Sequence, residues 1–368
     1  MTASASPTSA APYLIVMAGG IGSRFWPISR TGHPKQFHDV LGIGRSMLQA
    51  TIDRFAGIVP PEHVFVVTNR DYAALVQEQL PSVPPQNILP EPVGRNTAPC
   101  IAWACYRIAQ LDPTATVVVT PADHVVLREE AFQATIQTAL AAARERDILL
   151  TLGIQPSRPD TGYGYIQFLD GDPAERIRKV KTFTEKPNAE LAEVFVKSGE
   201  FLWNSGLFIW NVPTILSGLR QHLSEVAEIF DEGADVWNTS AETAFIETAY
   251  SRCRNISIDY GLMEKADNVY VLPADFGWSD LGTWDSLYSV ADKDDTANVV
   301  DADALLYDTT GCVIKVPQGR LVVPPVMGFF SCIVAEHDNV LLICRRDQEQ
   351  RVKEFVSDVK ARRGAAYL

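Results

Sequence analysis

The stretch YLIVMAGGIGSRFWPISR, Tyr13–Arg30, decides the fold. Its first six residues are an uninterrupted apolar run, which is typical of a strand buried on both faces. Three glycines, Gly19, Gly20 and Gly22, follow within four positions. Because proteins with parallel sheets bind ligands at the carboxyl ends of their strands, this turn is the first place to look for a site.

Similar apolar runs alternate with helical patterns over the first 150 residues. A capping box, Ser46 with Gln49, predicts the start of one of the helices. The apolar runs are Tyr13–Met17, Val64–Val67, Thr116–Thr120 and Ile148–Leu152, and the helical patterns begin near Ser46, Asp71, Asn96 and Glu129. This alternation predicts an α/β fold with a doubly wound, mixed but mostly parallel sheet.

The alternation of apolar runs and helical patterns changes twice further along the chain. Aromatic and β-branched runs up to about Trp284 predict a covering lobe that continues the same sheet. Short apolar runs after Asn298 predict a small β-rich unit that a helix from about Asp347 closes. We therefore expect a disordered tail over residues 1–11, a catalytic domain over 12–292 and a β-rich C-terminal domain over 298–368.

Composition excludes several classes of protein. The chain has 368 residues, is 46% hydrophobic and carries a formal net charge of −13. Such an acidic chain is a poor binder of nucleic acid or of an anionic membrane. No apolar stretch approaches the length of a membrane-spanning helix, and the six cysteines form no C-x-x-C pair. We expect a cytoplasmic protein with reduced thiols.

The glycine turn offers backbone amides to an anion, and Arg24 and Lys35 add positive charge nearby in the sequence. It is neither a P-loop nor a dinucleotide fingerprint, because Gly20–Phe25 ends in Phe where the fingerprint requires Gly. The alternative is a plain glycine turn beside an ordinary surface lysine. Asp123 is the matching acidic candidate, since it follows a buried run by a few residues and gains nothing there from packing.

The motifs GGIGSRFWPISR and PKQF resemble those of the sugar-phosphate nucleotidyltransferases, in particular the branch that transfers a guanylyl group to mannose 1-phosphate. Further motifs of that family follow in order: EPVGRNTAP, VVTPADHVV, GYGYI, FTEKP, WNSGLFIW, SIDYGLMEK and GWSDLGTW. Phe25 and Trp26 resemble the guanylyl branch more than its relatives. The resemblance implies a Rossmann-like, GT-A-like catalytic domain, in a short form without the C-terminal isomerase domain that some relatives carry.

The same resemblance implies a reaction. GTP and α-D-mannose 1-phosphate would give GDP-mannose and diphosphate, with Mg²⁺ held by Asp123 and Asp280. The sugar phosphate attacks the α-phosphorus in line, and as a dianion it needs no general base. The partners would be these small molecules, with no nucleic acid and no membrane, while the sequence leaves open whether the chain forms a homodimer. Without the resemblance, Asp280 is only a loop residue or a helix cap.

Residue roles also follow from the resemblance. The catalytic residues would be Arg24, Lys35, Asp123, Lys186 and Asp280. The nucleotide would lie on Ala18, Gly19, Gly20, Gly22, Ser23, Arg24, Lys35, Glu91, Gly94, Arg95, Asn96, Thr97 and Asp123. The sugar phosphate would lie on Gly162, Tyr163, Gly164, Glu185, Lys186, Asn204 and Asp259, with Glu264 as a weaker candidate.

Several of these residues have structural alternatives. Asn96 is equally well placed to cap the following helix, and Asp259 or Glu264 to brace a local turn. Without the resemblance, the sequence indicates only that Glu185 and Lys186 form an exposed ion pair. Two other functions also remain open: a guanylyltransferase for another sugar 1-phosphate, such as a manno-heptose, and a non-catalytic sensor of nucleotide sugars. The sensor is disfavoured because every charged site residue is present.

Overall fold

The structure, a computed structural model, describes residues 11–169, 172, 174–323 and 329–368. The predicted tail lies outside these residues except for Ala11. The chain forms two compact units. The first unit comprises the residues up to Gly19, Asp53–Pro121 and Val126–Trp278, and the second comprises Gly20–Ile52, Ala122–Val125 and Ser279–Leu368. The predicted domain limits at residues 292 and 298 stay a prediction.

The α-helices are α1 Met47–Asp53, α2 Ala73–Gln79, α3 Thr97–Leu111, α4 Glu129–Glu145, α5 Ala189–Ser198, α6 Val212–His222, α7 Ser224–Asp231, α8 Glu242–Arg252, α9 Trp284–Val290 and α10 Val352–Arg363. The predicted capping box is confirmed at the start of α1. The Ser46 amide donates to Gln49 Oε1 at 3.1 Å, and the Gln49 amide donates to Ser46 Oγ at 3.2 Å. Within the described ranges, no helix is long and apolar enough to cross a membrane.

The strands are β1 Tyr13–Ala18, β2 Val64–Asn69, β3 Ile88–Glu91, β4 Thr116–Pro121, β5 Val125–Val126, β6 Leu149–Ile154, β7 Gly164–Phe168, β8 Arg178–Glu185, β9 Phe201–Asn211, β10 Val269–Ala274, β11 Trp278–Ser279, β12 Val299–Asp301, β13 Asp303–Ala304, β14 Thr309–Thr310, β15 Val313–Lys315, β16 Leu321–Val322, β17 Phe329–Phe330, β18 Cys332–His337 and β19 Val340–Arg345.

The first unit is built on a nine-stranded sheet in the order β3-β2-β1-β4-β9-β6-β10-β8-β7. β1 is buried on both faces, as its apolar run predicts, with Leu14, Ile15 and Val16 fully buried. The α/β class and the mixed sheet are confirmed. The parallel part is smaller than predicted, because β9 lies antiparallel between β4 and β6, and β7 and β8 pair antiparallel.

The C-terminal part of the second unit is rich in strands, as the short apolar runs predict. Each of the strands β12, β13, β14 and β15 pairs in parallel with the strand three further on, which gives the ladders β12–β15–β18, β13–β16 and β14–β17, while β19 pairs antiparallel with β18. This repeat is the arrangement of a short parallel β-helix. Its interior contains Cys312, Ile314, Val316 and Val334.

A second core of this unit packs around Phe25 and Trp284, whose ring centroids lie 5.1 Å apart. Trp26, also buried here, donates from Nε1 to the carbonyl of Tyr367 at 2.7 Å. The aromatic pair after the glycine turn is therefore part of a core that ties the turn to the C-terminal segment.

Candidate active site

The glycine turn at the start of the second unit presents open backbone. Gly20 and Gly22 are exposed, and a Cβ built on Gly20 meets nothing within 4 Å. Gly22 has a φ of +71°, and a Cβ there would lie 2.8 Å from the Cβ of Lys35. Gly22 is therefore required both for the backbone conformation and for the close approach of Lys35. Ser23 and Arg24 continue the chain in a 3-10 turn, Ser23–Phe25.

Lys35 is the most deeply buried charge of the predicted site, with only 2% of its surface exposed. Its Nζ lies 2.8 Å from Asp123 Oδ2. The same nitrogen donates to the backbone carbonyls of Asp280 at 3.1 Å and Leu281 at 2.9 Å. The structure thus brings together three of the five predicted catalytic residues, all within the second unit.

The Asp123 side chain is 35% exposed and is held ionised. Burial acts to raise the pKa of its carboxyl, but the charges of Lys35 and His124 and the hydrogen bonds to the carboxylate together lower that pKa below its ordinary value. An ionised, partly accessible carboxylate is the form in which Asp binds a cation.

Asp280 lies in a tightly constrained loop. Its Oδ1 accepts a hydrogen bond from the Gly282 amide at 3.0 Å. The next residue, Leu281, is fully buried and has a φ of +44°, a left-handed conformation that is uncommon for a leucine. A Cβ built on Gly282 would lie 2.4 Å from Asp280 Oδ2 and 3.3 Å from Arg24 Nη2. Arg24 therefore lies beside the same loop.

The pair of carboxylates, Asp123 and Asp280, fits a hard divalent cation. Mg²⁺ prefers oxygen ligands and usually takes one or two carboxylates together with substrate phosphates and water. In the part of the chain that the structure describes, no three His, Cys, Asp or Glu side chains are grouped to hold an ion. The carboxylate oxygens of Asp123 and Asp280 are thus donors of the kind that an open site for such a cation would use.

In the first unit, Glu91 ends β3 and is 6% exposed. Tyr250 donates from its hydroxyl to Glu91 Oε1 at 3.0 Å. Burial raises the pKa of Glu91 to about 7, against the opposing effect of the Tyr250 hydrogen bond. A Cβ on Gly19 would lie 3.2 Å from Glu91 Oε2, so this glycine leaves room for the carboxylate. Ala18 ends β1, where its carbonyl accepts from Thr68 Oγ1 at 2.9 Å.

The loop between Glu91 and α3 has a largely structural set of contacts. Gly94 is exposed. Arg95 donates from Nε to the carbonyl of Tyr250 at 2.9 Å, so its guanidinium is engaged by backbone. Asn96 caps α3 by accepting from the Thr97 amide at 2.9 Å, and Thr97 Oγ1 accepts from the Ile258 amide at 2.8 Å. The capping alternative for Asn96 is confirmed, and its ligand role stays a prediction.

A second group of predicted residues converges around the hairpin of β7 and β8. Gly164 pairs with Glu185 across it, and a Cβ on Gly164 would lie 2.5 Å from Glu185 Oε2. Lys186 donates from Nζ to Glu185 Oε1 at 2.6 Å, and its amide donates to the Tyr163 carbonyl at 3.2 Å. Lys186 has a φ of +48°. The opposite-charge pair is present, with Glu185 mostly buried and Lys186 exposed.

Asn204 connects this hairpin to a third carboxylate. It is 8% exposed and donates from Nδ2 to Asp259 Oδ1 at 2.8 Å, while its Oδ1 accepts from Thr151 Oγ1 at 2.9 Å. Burial raises the pKa of Asp259, and the nearby charge of Glu185 raises it further. Glu264 braces the hairpin, since its Oε1 accepts from the Glu185 amide at 2.9 Å.

Arg158 belongs to the same neighbourhood, although sequence reasoning missed it. It donates from Nη2 to Asp160 Oδ2 at 2.8 Å, and its guanidinium carbon lies 5.3 Å from the ring centroid of Trp203 and 5.9 Å from that of Tyr163. Asp160 in turn accepts from the Gly162 amide at 2.8 Å. The sequence signal that could have identified Arg158 is its position as a basic residue in the loop just before the GYGYI motif. Tyr250 gave no signal, because its partner Glu91 lies 159 positions away.

The comparisons with known proteins agree with the motifs. A family profile described as nucleotidyl transferase matches residues 13–297. A putative mannose-1-phosphate guanylyltransferase of Vibrio cholerae is 37% identical over 358 residues, which cover 96% of this chain and 75% of that protein. The mannose-1-phosphate guanylyltransferase of Salmonella montevideo is 36% identical, over 94% of this chain and 73% of its own.

The fold has a close counterpart among solved structures. A crystal structure from Thermus thermophilus, named as a mannose-1-phosphate geranyltransferase, superimposes with a TM-score of 0.85 at 33% identity, covering 95% of this chain and 99% of its own. The resemblance that the motifs predict is thereby confirmed, and the chain belongs to the nucleotidyl transferase family of enzymes.

Proposed function

We propose that this chain transfers the guanylyl group of GTP to α-D-mannose 1-phosphate, which yields GDP-mannose and diphosphate. The observation that carries the proposal is the cluster of Lys35 with Asp123 and the Asp280 loop, where an ionised carboxylate and fixed charges suit phosphoryl chemistry. The choice of guanine and mannose is supported by relatives at 36–37% identity that are named for that reaction.

The reaction asks little covalent work of the protein. A sugar 1-phosphate has its second pKa near 6, so at neutral pH it attacks as a dianion without a general base. Catalysis then depends on orientation and on neutralising the charge of the triphosphate. A divalent cation on Asp123 and Asp280, which we propose to be Mg²⁺, would supply part of that neutralisation.

The phosphates would lie on the residues of the glycine turn in the second unit. The exposed backbone at Gly20 and Gly22 offers amides to phosphate oxygens. Arg24, beside the Asp280 loop, offers a guanidinium fork that matches phosphate geometry. Guanine would be read by Glu91, because the N1 and N2 positions of guanine are donors and an ionised carboxylate accepts from both.

The mannose 1-phosphate would lie on the first-unit cluster around the β7–β8 hairpin. Glu185, Asn204 and Asp259 supply acceptors and donors for hydroxyl groups, and Lys186 supplies charge for the phosphate. Gly162, Tyr163 and Gly164 supply backbone at that hairpin. A cytoplasmic location and a homodimer complete the proposal; light scattering on the purified chain tests the second.

The decisive experiment measures diphosphate release. GTP, ATP and UTP are each combined with mannose, glucose and manno-heptose 1-phosphates, with and without Mg²⁺. We expect turnover with GTP and mannose 1-phosphate only when Mg²⁺ is present. The highest kcat/KM with manno-heptose 1-phosphate would change the sugar, and the absence of turnover with GTP and every sugar would overturn the proposal.

A further inference from the structure

We propose that a cavity in the first unit, apart from both groups of site residues, is a second ligand site that takes a small amphipathic anion. The cavity is lined mainly by residues of β3, α3 and α8 and has a volume of about 610 Å³. Pockets for small molecules measure roughly 300–1,000 Å³ and combine apolar walls with a few polar groups. The described residues that line it include none of those assigned above to nucleotide, sugar phosphate or metal.

The cavity has apolar walls that are held in place. Four buried apolar side chains line it, those of Ile88, Leu89, Trp103 and Ile246. Each of these residues is at most 8% exposed. The Trp103 ring is fixed, because its Nε1 donates to Glu242 Oε1 at 2.7 Å. Such preformed apolar walls suit the apolar body of a small ligand.

A buried arginine supplies positive charge to the same cavity. Arg107 lines it and is only 8% exposed. The guanidinium is fixed by Nε, which donates to Asn238 Oδ1 at 2.8 Å, and by Nη1, which donates to the carbonyl of Gln86 at 2.6 Å. Among the described residues, none accepts a hydrogen bond from Nη2. Since each guanidinium N–H is a donor, the two on Nη2 are left for a ligand.

The buried carboxylate beside Arg107 does not offer acceptors to a ligand. Glu242 is 7% exposed, and its Oε1 lies 3.4 Å from Arg107 Nε. Both of its oxygens are already used, because Oε1 accepts from Trp103 and Oε2 accepts from the Asn238 amide at 2.8 Å. The buried groups that can still bind are therefore donors, which favours an anion over a cation.

A second arginine lines the cavity where it is open to solvent. Arg70 forms an ion pair with Glu247, and their side chains are 52% and 48% exposed. Because exposed ion pairs of this kind contribute little to stability, Arg70 can turn to an incoming anion at small cost. The ligand class that fits is thus an apolar or aromatic body with one carboxylate or phosphate group.

The cavity adjoins the proposed base site without including it. Leu89 lies two positions before Glu91 on β3, and the Trp103 ring packs edge-on against Tyr250 with centroids 5.8 Å apart. Neither Glu91 nor Tyr250 is among the described residues that line the cavity. We therefore expect the cavity to be occupied by its own ligand while GTP is bound.

The experiment measures the binding of three probes to the full-length chain by calorimetry. 2-Naphthoate and 2-naphthyl phosphate carry an anionic group on the same aromatic body, and 2-naphthamide is neutral. We expect at least one anion to bind about tenfold or more tightly than the amide, because hydrogen bonds to charged groups are the stronger ones. The tighter anion identifies the head group. Equal binding of all three probes, or binding of none, would overturn the proposal.

Two variants test whether the anion lies in this cavity. Arg107→Met removes the buried donor and should abolish the preference for the anion over the amide. Thr243→Trp fills the cavity from an exposed position on α8 and should weaken binding of the anion about tenfold or more. Thr248→Trp is the matched control, since it adds the same side chain at an exposed position of α8 outside the lining, and it should bind as the parent does.

Unchanged binding of the anion in Thr243→Trp would overturn the proposal. Should Arg107→Met fail to fold, Thr243→Trp alone decides, by the same criterion. Saturating GTP should not displace the anion from the parent chain, and competition between the two would assign the binding to the nucleotide site and overturn the proposal. Failure of the proposed function would appear instead in the diphosphate-release assay, which uses none of these probes.

Discussion

The hydroxyl of Tyr250 donates a 3.0 Å hydrogen bond to Oε1 of Glu91, and both side chains are buried. The pKa of Glu91 is nevertheless raised to about 7, because desolvation outweighs this hydrogen bond. A carboxyl group that titrates near neutral pH, at the end of the strand proposed to meet the base, makes nucleotide binding sensitive to pH.

The affinity for GTP should fall as the pH falls through about 7. Ionised Glu91 accepts from guanine N1 and N2, whereas the protonated form loses an acceptor and gains a donor. Calorimetric titration with GTP between pH 5.5 and 8.5 measures the midpoint. Tyr250→Phe should move the midpoint upward, because it removes the hydrogen bond that lowers this pKa. An unshifted affinity across the range would remove Glu91 from base recognition.

Glu91→Gln should stabilise the fold at alkaline pH. The pKa of the Glu91 carboxyl rises from 4.5 to about 7 on folding. The free energy of unfolding therefore falls as the pH rises between those two values. The full difference is at most about 3 kcal/mol. The variant should match the parent near pH 4.5 and exceed it at pH 8 in the free energy of unfolding by urea. Glu228→Gln, at an exposed site, is the control and should show no such trend.

Asp280→Asn should retain the fold and lose turnover. The amide oxygen of Asn replaces Oδ1, which accepts from the Gly282 amide, but it brings no negative charge to a cation. A metal contributes several kcal/mol to such reactions, so kcat should fall by at least about 100-fold. Steady-state kinetics and circular dichroism measure the two properties, and near-normal turnover would remove Asp280 from the metal site.

Gly22→Ala and Gly20→Ala should separate folding from binding. At Gly22 the positive φ alone costs about 1–2 kcal/mol, and the added Cβ would lie 2.8 Å from that of Lys35. Thermal unfolding should show the loss. Gly20→Ala meets nothing within 4 Å and should keep its Tm, while GTP affinity falls if phosphates contact this backbone. Equal loss of Tm in both variants would contradict this assignment.

Gly164→Ala should raise the KM for mannose 1-phosphate without changing the affinity for GTP. The added Cβ would lie 2.5 Å from Glu185 Oε2 and 3.2 Å from Asn204 Cβ, so Glu185 must move. We expect a rise of about tenfold, the equivalent of about 1.4 kcal/mol. Gly32→Ala, which meets nothing within 4 Å, is the control. An unchanged KM would argue against a sugar site at this hairpin.

Local sequence predicted the elements that carry their own signals. Ser46 and Gln49 mark a helix start because their contacts lie three residues apart. The buried run at Tyr13 marks a central strand. The sequence indicated strands in the C-terminal part but not the β-helix ladders. Strands of two or three residues are too short for an alternation of buried and exposed side chains to be recognised.

The sequence predicted which residues form the candidate site, but it did not predict the contacts that these residues make. Motif order picked out Asp123, Glu185 and Asp280. Nothing local indicated that the Arg95 guanidinium is engaged by the carbonyl of Tyr250, or that a leucine after Asp280 takes a left-handed conformation. Such features depend on residues far apart in the chain, which no local pattern encodes.

The Lys35 contacts also set an order of events during synthesis. Lys35 and its acceptor at Asp280 are 245 positions apart. At roughly 5–20 residues per second, a ribosome takes on the order of 10–50 s to span that interval. Over that time Lys35 lacks its acceptors at Asp280 and Leu281, although Asp123 emerges earlier, and the nascent first half of the chain cannot bind a metal in the manner proposed here. Activity would therefore appear only once almost the whole chain has emerged.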